Sequence, residues 1–356
     1  MRLRISSIAR ESILLQSETM PTLPVILAFE SSCDDTGVAV IRGSEVLSNT
    51  IANQTVHEKY GGVVPELASR AHVQNIVPTL ELAIKTAGIQ IAEIDAVAYT
   101  LGPGLMGSLH VGAAFAKSWA WAHGIPMVPV NHMQAHILAH FLAPEPYPAF
   151  PFLCLTVSGG HTQLVRVNAP LEMSVLGETK DDAAGEAFDK VAKLMGLPYP
   201  GGPVLDNMAR EGDSSAFLFT KPKVPALDMS FSGLKTQIWQ LLREQVQLDP
   251  SFIEERKHDI AASVQLAIID ILMGKLEKAV AQTGIERVAT AGGVSANTGL
   301  RSRLQGKQEE CGWQVFIPPM DYCTDNAAMV AIAGNLLFES GRCGKLSDEP
   351  IPRWKF

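Results

Sequence analysis

The sequence predicts an α/β protein of two related lobes, each a mixed sheet flanked by helices, with a ligand cleft between them. Three observations carry that prediction. A polar hairpin occurs twice, as ESSCDDTGVAVI at residues 30–41 and VSGGHTQLV at residues 157–165, each time after an apolar run (Val25 to Phe29; Phe152 to Thr156) and before a further strand. The order helix, strand, Gly-rich turn, helix, strand follows each hairpin. A chain of 356 residues also exceeds one ordinary core and favours two domains of about 150 residues each.

The elements run as follows. Residues 1–23 form an N-terminal extension, Arg- and Ser-containing with weak amphipathic spacing; it reads as disordered or as an upstream start ahead of Met20, and lacks the cleavage site of a targeting peptide. The first lobe, residues 24–148, continues from its hairpin through ELASRAHVQNIVPTLELAIKTAG (helix), IDAVAYT (strand), LGPGLMGS (turn), LHVGAAFAKSWAWAHG (helix) and IPMVPVNH (strand). The second, residues 149–340, ends on IAASVQLAIIDILMGKLEKAVAQTG, IERVATA, GGVSANTGL, RSRLQGKQEECG and WQVFIPPMD in the same order. From Ala28 to Val97 is 69 positions and from Leu155 to Val288 is 133, so the second lobe carries an inserted segment, placed at about 171–235. A final helix at about 325–340 packs back, and residues 341–356 form a tail.

Composition narrows the function. No apolar run reaches the roughly 18 residues of a membrane span, so no membrane role is expected. Cys33, Cys154, Cys311, Cys323 and Cys343 are scattered, odd in number and free of a Cys-x-x-Cys, which argues against a disulfide framework or zinc knuckle and fits a reducing cytoplasm. A net charge of −8 does not suit unaided grip on nucleic acid.

Sheets of this type bind ligands beyond the carboxyl ends of their strands, where loops and helix N-termini offer N–H groups. Two hairpins facing one cleft can hold two sides of a phosphate-bearing ligand. That arrangement resembles the actin, sugar kinase and Hsp70 nucleotide-binding superfamily: two duplicated actin-like, ribonuclease H-like lobes with a nucleotide and metal cleft between them. The turn AGGVSANTGL stands where that superfamily holds adenosine, and Asn297 offers a donor and an acceptor to a ribose or base.

The first lobe closes on VNHMQAHILAHF. His132 and His136 lie four apart, on one helical face and within reach of one metal ion; His140 reads as packing or surface. The matching strand of the second lobe ends in PPMDYCTDNAAM, which brings Asp325 near the same place. Asp321 is the rival carboxylate, and Asp325 is preferred as the residue capping the final helix. Two His and one carboxylate suit Fe(II) or Zn(II) with positions left for substrate. A zinc peptidase would need Glu after the first His, where this chain has Met133.

Together, ESSCDDTGVAV, GGVVPELASRAH, GPGLMGSLHVG, NHMQAH, VSGGHTQL, DDAAGEAFDKVAKLMGLPYPGGP, SFSGLKT, AGGVSAN and CTDNAAM resemble the bacterial tRNA N6-adenosine threonylcarbamoyltransferase family, once labelled O-sialoglycoprotein endopeptidase, over roughly residues 25–342. The resemblance implies transfer of a threonylcarbamoyl group from threonylcarbamoyl-adenylate to N6 of the adenosine 3′ of the anticodon, in tRNAs reading codons that begin with A, with release of AMP. It implies one divalent metal held by His132, His136 and Asp325. It implies ligand contacts from Val157, Ser158, Gly159, Gly160 and His161, and from Asp189, Gly202, Asp206 and Asn297. The first hairpin lacks the Asp-x-Gly-x-Thr pattern of superfamily kinases, so the nucleotide is read as an adenylate, with AMP or ATP as related occupants. Glu30 and His161 are candidates for the proton leaving N6. The family also implies tRNA as partner, a catalytically silent paralogue of the same fold docked on helices at about 64–88, and an ATPase subunit. A chaperone-like ATPase would leave His132, His136 and Asp325 idle, and a metallopeptidase would leave the nucleotide features idle.

Overall fold

The computed structural model describes residues 23–142 and 144–355; the extension expected over residues 1–22 lies outside the described residues. In the first sheet, β1 (Val25–Glu30) pairs antiparallel with β2 (Thr36–Arg42), and β2 with β3 (Glu45–Ala52). On its other side β1 runs parallel to β4 (Ala96–Gly102), and β4 to β5 (Met127–Asn131). Helix α1 (Pro65–Ala87) joins β3 to β4, α2 (Met106–His123) joins β4 to β5, and α3 (His132–Leu138) leaves β5. α1 and α2 stop at Gly88 and Gly124, whose left-handed backbone lets their N–H groups cap the last turn.

The second sheet repeats the plan. β6 (Phe152–Val157) pairs antiparallel with β7 (Thr162–Ala169), and β7 with β8 (Glu172–Glu178); β6 runs parallel to β9 (Arg287–Ala291), and β9 to β10 (Gln314–Phe316). The orders β3-β2-β1-β4-β5 and β8-β7-β6-β9-β10 are the same. Between β8 and β9 stand α4 (Ala184–Leu194), α5 (Gly201–Ala209), α6 (Ser232–Leu248) and α7 (Phe252–Thr283). α8 (Thr298–Cys311) joins β9 to β10, and α9 (Ala327–Glu339) ends the second lobe as α3 ends the first. This corrects the insertion expected at about 171–235. β8 is a full strand of the repeated sheet, and α7 enters β9 as α1 enters β4, so the added material is the three helices α4 to α6 with their loops.

Strand alternation builds the layers. Val25, Leu27 and Phe29 face α1 and α2, while Ile26 and Ala28 face a second cluster containing Ala327 to Ala333 of α9. In β6, Leu153, Leu155 and Val157 join the large core under α4 to α8, and Phe152 and Cys154 meet Ile137 of α3. So α9 covers the inner face of the first sheet, and α3 reaches the inner face of the second. α3 also packs against α9, through a shared cluster that includes Ala135, Leu138 and Ala139.

Small residues permit this. A Cβ at Gly334 would sit 2.4 Å from Ala98 Cβ, so α9 lies directly on β4. His140, just beyond α3, is buried and its Nε2 pairs with the Thr290 carbonyl of β9 at 2.9 Å, a tie between the lobes where the sequence suggested packing or surface. The tail also has a fixed place: Ile351 N donates to Leu101 O at 2.8 Å, and Gly104 N to Pro352 O at 3.2 Å. A side chain at Gly102, where φ is +155°, would begin 2.0 Å from Ile351 O.

Two outcomes are expected. Gly334→Val overpacks the α9–β4 contact and lowers unfolding free energy by about 1–3 kcal/mol, measured by urea denaturation. Burial pushes the His140 imidazole down to about 4, whereas the unfolded ring titrates near 6.5. The unfolded chain therefore takes the proton first, so stability drains as pH falls from about 6.5 towards about 4. His140→Gln, which keeps a neutral donor, removes that part of the acid-side slope in urea titrations at about pH 7, 6 and 5.

Candidate metal and nucleotide site

The crossing of α3 and α9 brings together residues far apart in the chain. Asn131 ends β5 and caps α3, accepting from the backbone N of Met133 and Gln134 at 3.0 and 3.2 Å, which sets His132 at the first helical position. One turn on, His136 faces the same way; the two rings meet edge to face at 4.7 Å. Asp325 arrives just ahead of α9. The cap of α9 is Asn326, whose side chain accepts from Met329 N at 3.0 Å, so the expectation that Asp325 caps the helix is corrected. Freed from that duty, Asp325 turns its carboxylate to the imidazoles. Oδ1 lies 3.1 Å from His136 Nε2 and 3.5 Å from His132 Nε2. Asp321, the rival, stands outside this group.

A ligand atom from each of His132, His136 and Asp325 lies within 4.8 Å of the others, a two-nitrogen, one-oxygen set that suits a divalent ion with open positions. Behind it stands Glu30 at the end of β1. Its Oε2 accepts from His132 Nδ1 at 3.1 Å and from Thr100 Oγ1 at 2.6 Å, and its Oε1 from Ser32 N at 2.5 Å. That is the carboxylate–histidine pairing that fixes a metal-binding ring through its far nitrogen. With 1% exposure and both oxygens engaged, Glu30 holds His132 and has no access to a substrate proton, which corrects its candidacy as base. The His136 Nδ1 atom is buried without a hydrogen-bond partner among the described residues.

The electrostatics follow from burial. Desolvation works against charge on all three groups, yet Glu30 and Asp325 outweigh it at His132 and hold that ring protonated, up to about 10. Desolvation is likewise outweighed at Asp325, where His132 keeps the carboxyl well below its usual range. Glu30 is lowered through the same ring. These carboxylates create a place for positive charge.

The two hairpins flank the cluster. In the first, Ser32 Oγ lies 3.5 Å from both His132 Nε2 and Asp325 Oδ2, and His72 of α1 bridges Thr36 Oγ1 (2.8 Å) and Cys33 O (3.0 Å). In the second, Ser158 N donates to His161 O at 2.8 Å and His161 N to Ser158 Oγ at 3.1 Å, a tight turn around the exposed Gly159 and Gly160. Burial, then the charges of His132 and His136, press the His161 ring down to about 4, so it is neutral near pH 7. Gly292 of the AGGVSANTGL turn sits on this hairpin; with φ +88° its Cβ would come 2.5 Å from Val157 O.

The expected adenylate contacts separate into two pairs. Asp189 Oδ1 accepts from Gly201 N and Gly202 N at 2.8 and 3.2 Å, capping α5, and burial raises its carboxyl. Asp206 accepts from Thr298 N and Oγ1 at the start of α8. Asn297 caps that helix by accepting from Leu300 N at 3.0 Å and donates to Gln265 Oε1 at 2.7 Å. One donor and one lone pair of the Asn297 amide are thus used within the fold, which fixes its orientation and leaves a second N–H and a second lone pair. Sequence reasoning missed Ser32, Thr100, His72 and Asn131; all four are polar residues inside or beside apolar strands or on a helix face, an available signal. It also missed Asp181, which takes Phe231 N, Ser230 Oγ and Ser232 Oγ and so ties SFSGLKT to the start of the inserted helices.

Comparison with known proteins follows the same lines. The family profile described as tRNA N6-adenosine threonylcarbamoyltransferase matches residues 45–332. The chain is 57% identical to the protein of that name from Cytophaga hutchinsonii over 87% of this chain and 90% of the relative. It is 55% identical to the one from Porphyromonas gingivalis over 92% and 98%. Among solved structures, HypF of T. kodakarensis shares the fold with a TM-score of 0.59 at 14% identity, over 90% of this chain and 48% of that one.

Replacing Glu30 by Gln is expected to leave the protein folded while weakening divalent-metal affinity by about 10–100-fold, measured by competitive chelator titration.

Proposed function

The chain belongs to the tRNA N6-adenosine threonylcarbamoyltransferase family, enzymes of N6-threonylcarbamoyladenosine formation in tRNA, and on that premise we propose how its residues carry out the transfer. The donor is threonylcarbamoyl-adenylate. The N6 lone pair of the target adenine attacks the carbamoyl carbon, a C–N bond forms, the C–O bond to the phosphoryl group breaks, AMP leaves with that electron pair, and N6 gives up a proton. Because the donor is already an activated mixed anhydride, no kinase step is needed.

The observation that carries this reading is the meeting of the metal-type cluster His132, His136 and Asp325 with the Val157 to His161 hairpin. Those three residues would hold a divalent ion, Fe(II) or Zn(II), which would supply Lewis acidity. Glu30 keeps His132 in its ligand tautomer. Gly159 and Gly160 are exposed, with open space where side chains would stand, so a phosphate can approach the hairpin backbone closely. Asp189 keeps its second oxygen without an intramolecular partner for a ribose hydroxyl, while Gly202, Asp206 and Asn297 form the wall behind it. His161, neutral and beside the cluster, takes the N6 proton.

The assembly is proposed on the same basis. α1 leaves Val73 and Val77 exposed one turn apart on one face (62% and 46%); they are apolar residues its own core does not use. That face suits a helix of the silent paralogue, with the ATPase subunit joining the pair to hold tRNA. No described helix is long and apolar enough to cross a membrane.

Reconstituted with partner subunits, threonylcarbamoyl-adenylate and unmodified tRNA, the chain is expected to form N6-threonylcarbamoyladenosine detectable by nucleoside mass spectrometry. Asp325→Ala, checked for folding by circular dichroism, is expected to lower product by at least about a hundredfold, more than loss of an outer partner would. Full activity in that variant rules out the metal role.

A further inference from the structure

A cavity of about 470 Å³ adjoins the metal-type cluster, and of the residues expected to hold the adenylate only His161 lines it. Met133, the chain neighbour of His132, lines it too. The remaining wall includes Gln163 and the β8 edge of the second lobe, and the tail residues Arg353, Trp354 and Lys355, from the segment that packs on the first. The tail is held there by the Ile351–Leu101 and Gly104–Pro352 hydrogen bonds, so its position is built into the fold.

The lining has a chemistry of its own. Trp354 packs partly on the outer core of the first lobe and offers the cavity's one aromatic indole. The amide oxygen of Gln163 is buried without a hydrogen-bond partner among the described residues. Lys180, Arg353 and Lys355 stand at the cavity against two carboxylates, Glu178 and Asp228. Lys180 is tied to Asp228 at 3.1 Å, and Glu178 draws Lys180 and Lys355 only at 3.7 Å each. Arg353 is exposed. In a chain of net charge −8, this is a cationic mouth around an indole and an amide. A volume within the range of small-molecule sites accepts a nucleoside. Indole stacks on any base, and a glutamine amide matches the N6/N7 edge of adenine in particular.

We propose that this cavity receives the acceptor adenine of the tRNA, stacked on Trp354 and read by Gln163, with the adjoining phosphates on Arg353 and Lys355. The inference rests on the transferase reading and adds the entry route: the base comes in over the tail, the adenylate through the hairpin cleft, and the two meet at His161 and the metal cluster.

The test uses the full chain with its partner subunits in a transfer assay at varied tRNA concentration. Trp354→Ala is expected to raise the tRNA concentration for half-maximal transfer about tenfold. The exposed pair Arg353→Glu and Lys355→Glu, which leaves the core untouched, is expected to raise it as well and to flatten its dependence on salt. Binding of AMP, measured by calorimetry, stays within about twofold in both variants. Unchanged tRNA dependence in both variants, with the wild type active, overturns the inference and leaves the transferase reading standing. A wild type that makes no product overturns that reading, and the inference is then decided by binding. An anticodon stem-loop with adenosine at the target position should bind more tightly than one with guanosine, and the difference should vanish in Gln163→Leu; equal affinities in the wild type overturn it.

Discussion

α3 packs against α9 between the two sheets, and each helix covers a face of the sheet built by the other half of the chain. The rest of the site hangs on this crossing. It delivers two imidazoles from the end of β5 and one carboxylate from the approach to α9 to a single point. The crossing can be tight because α9 begins AAMVAIAG, and alanine and glycine let it approach β1 and β4 closely. Bulkier side chains there would push Asp325 away from His132 and His136, so the small residues of an apolar helix serve the chemistry as directly as the ligands do.

Burying charge at such a point is costly unless every group is paired. Here Glu30, His132 and Asp325 compensate one another; Thr100 Oγ1 and the Ser32 backbone N–H supply the remaining hydrogen bonds to Glu30, and Ser32 Oγ lies against Asp325. The arrangement has two carboxylates for one strongly basic ring, and a second imidazole whose Nε2 points at the same oxygen. His132, His136 and Asp325 would hold a divalent ion there, and its charge would offset this surplus of acceptors.

The duplicated hairpin has diverged in the two lobes for a physical reason. The first copy is locked from behind by His72, Ser108 and the start of α2, and its Ser32 leans on the metal-type cluster. The second keeps Gly159 and Gly160 open, with free space where side chains would stand. One copy therefore stiffens the site and the other is left to meet a ligand.

Much of this was legible in the sequence. Alternation and length point to the two sheets, the repeated order to their matching topology, and the i, i+4 spacing of His132 and His136 with the duplicated strand end to the three side chains that meet between the lobes. Those features depend on local periodicity, which a chain carries in its own residues. What tertiary structure decided were the partners of polar side chains. Glu30 reads as a free base until β1, β4 and α3 close around it; Asp325 reads as a cap until Asn326 takes that place; Asn297 gains its orientation only from Gln265 and Leu300 N. β8 looked like insertion because edge strands carry weak alternation, and only pairing with β7 identifies it. The tail, too, has no periodicity to announce that it lines a cavity. A side chain's donors and acceptors are spent on whatever the fold brings within about 3 Å, and that is fixed by contacts between residues tens or hundreds of positions apart.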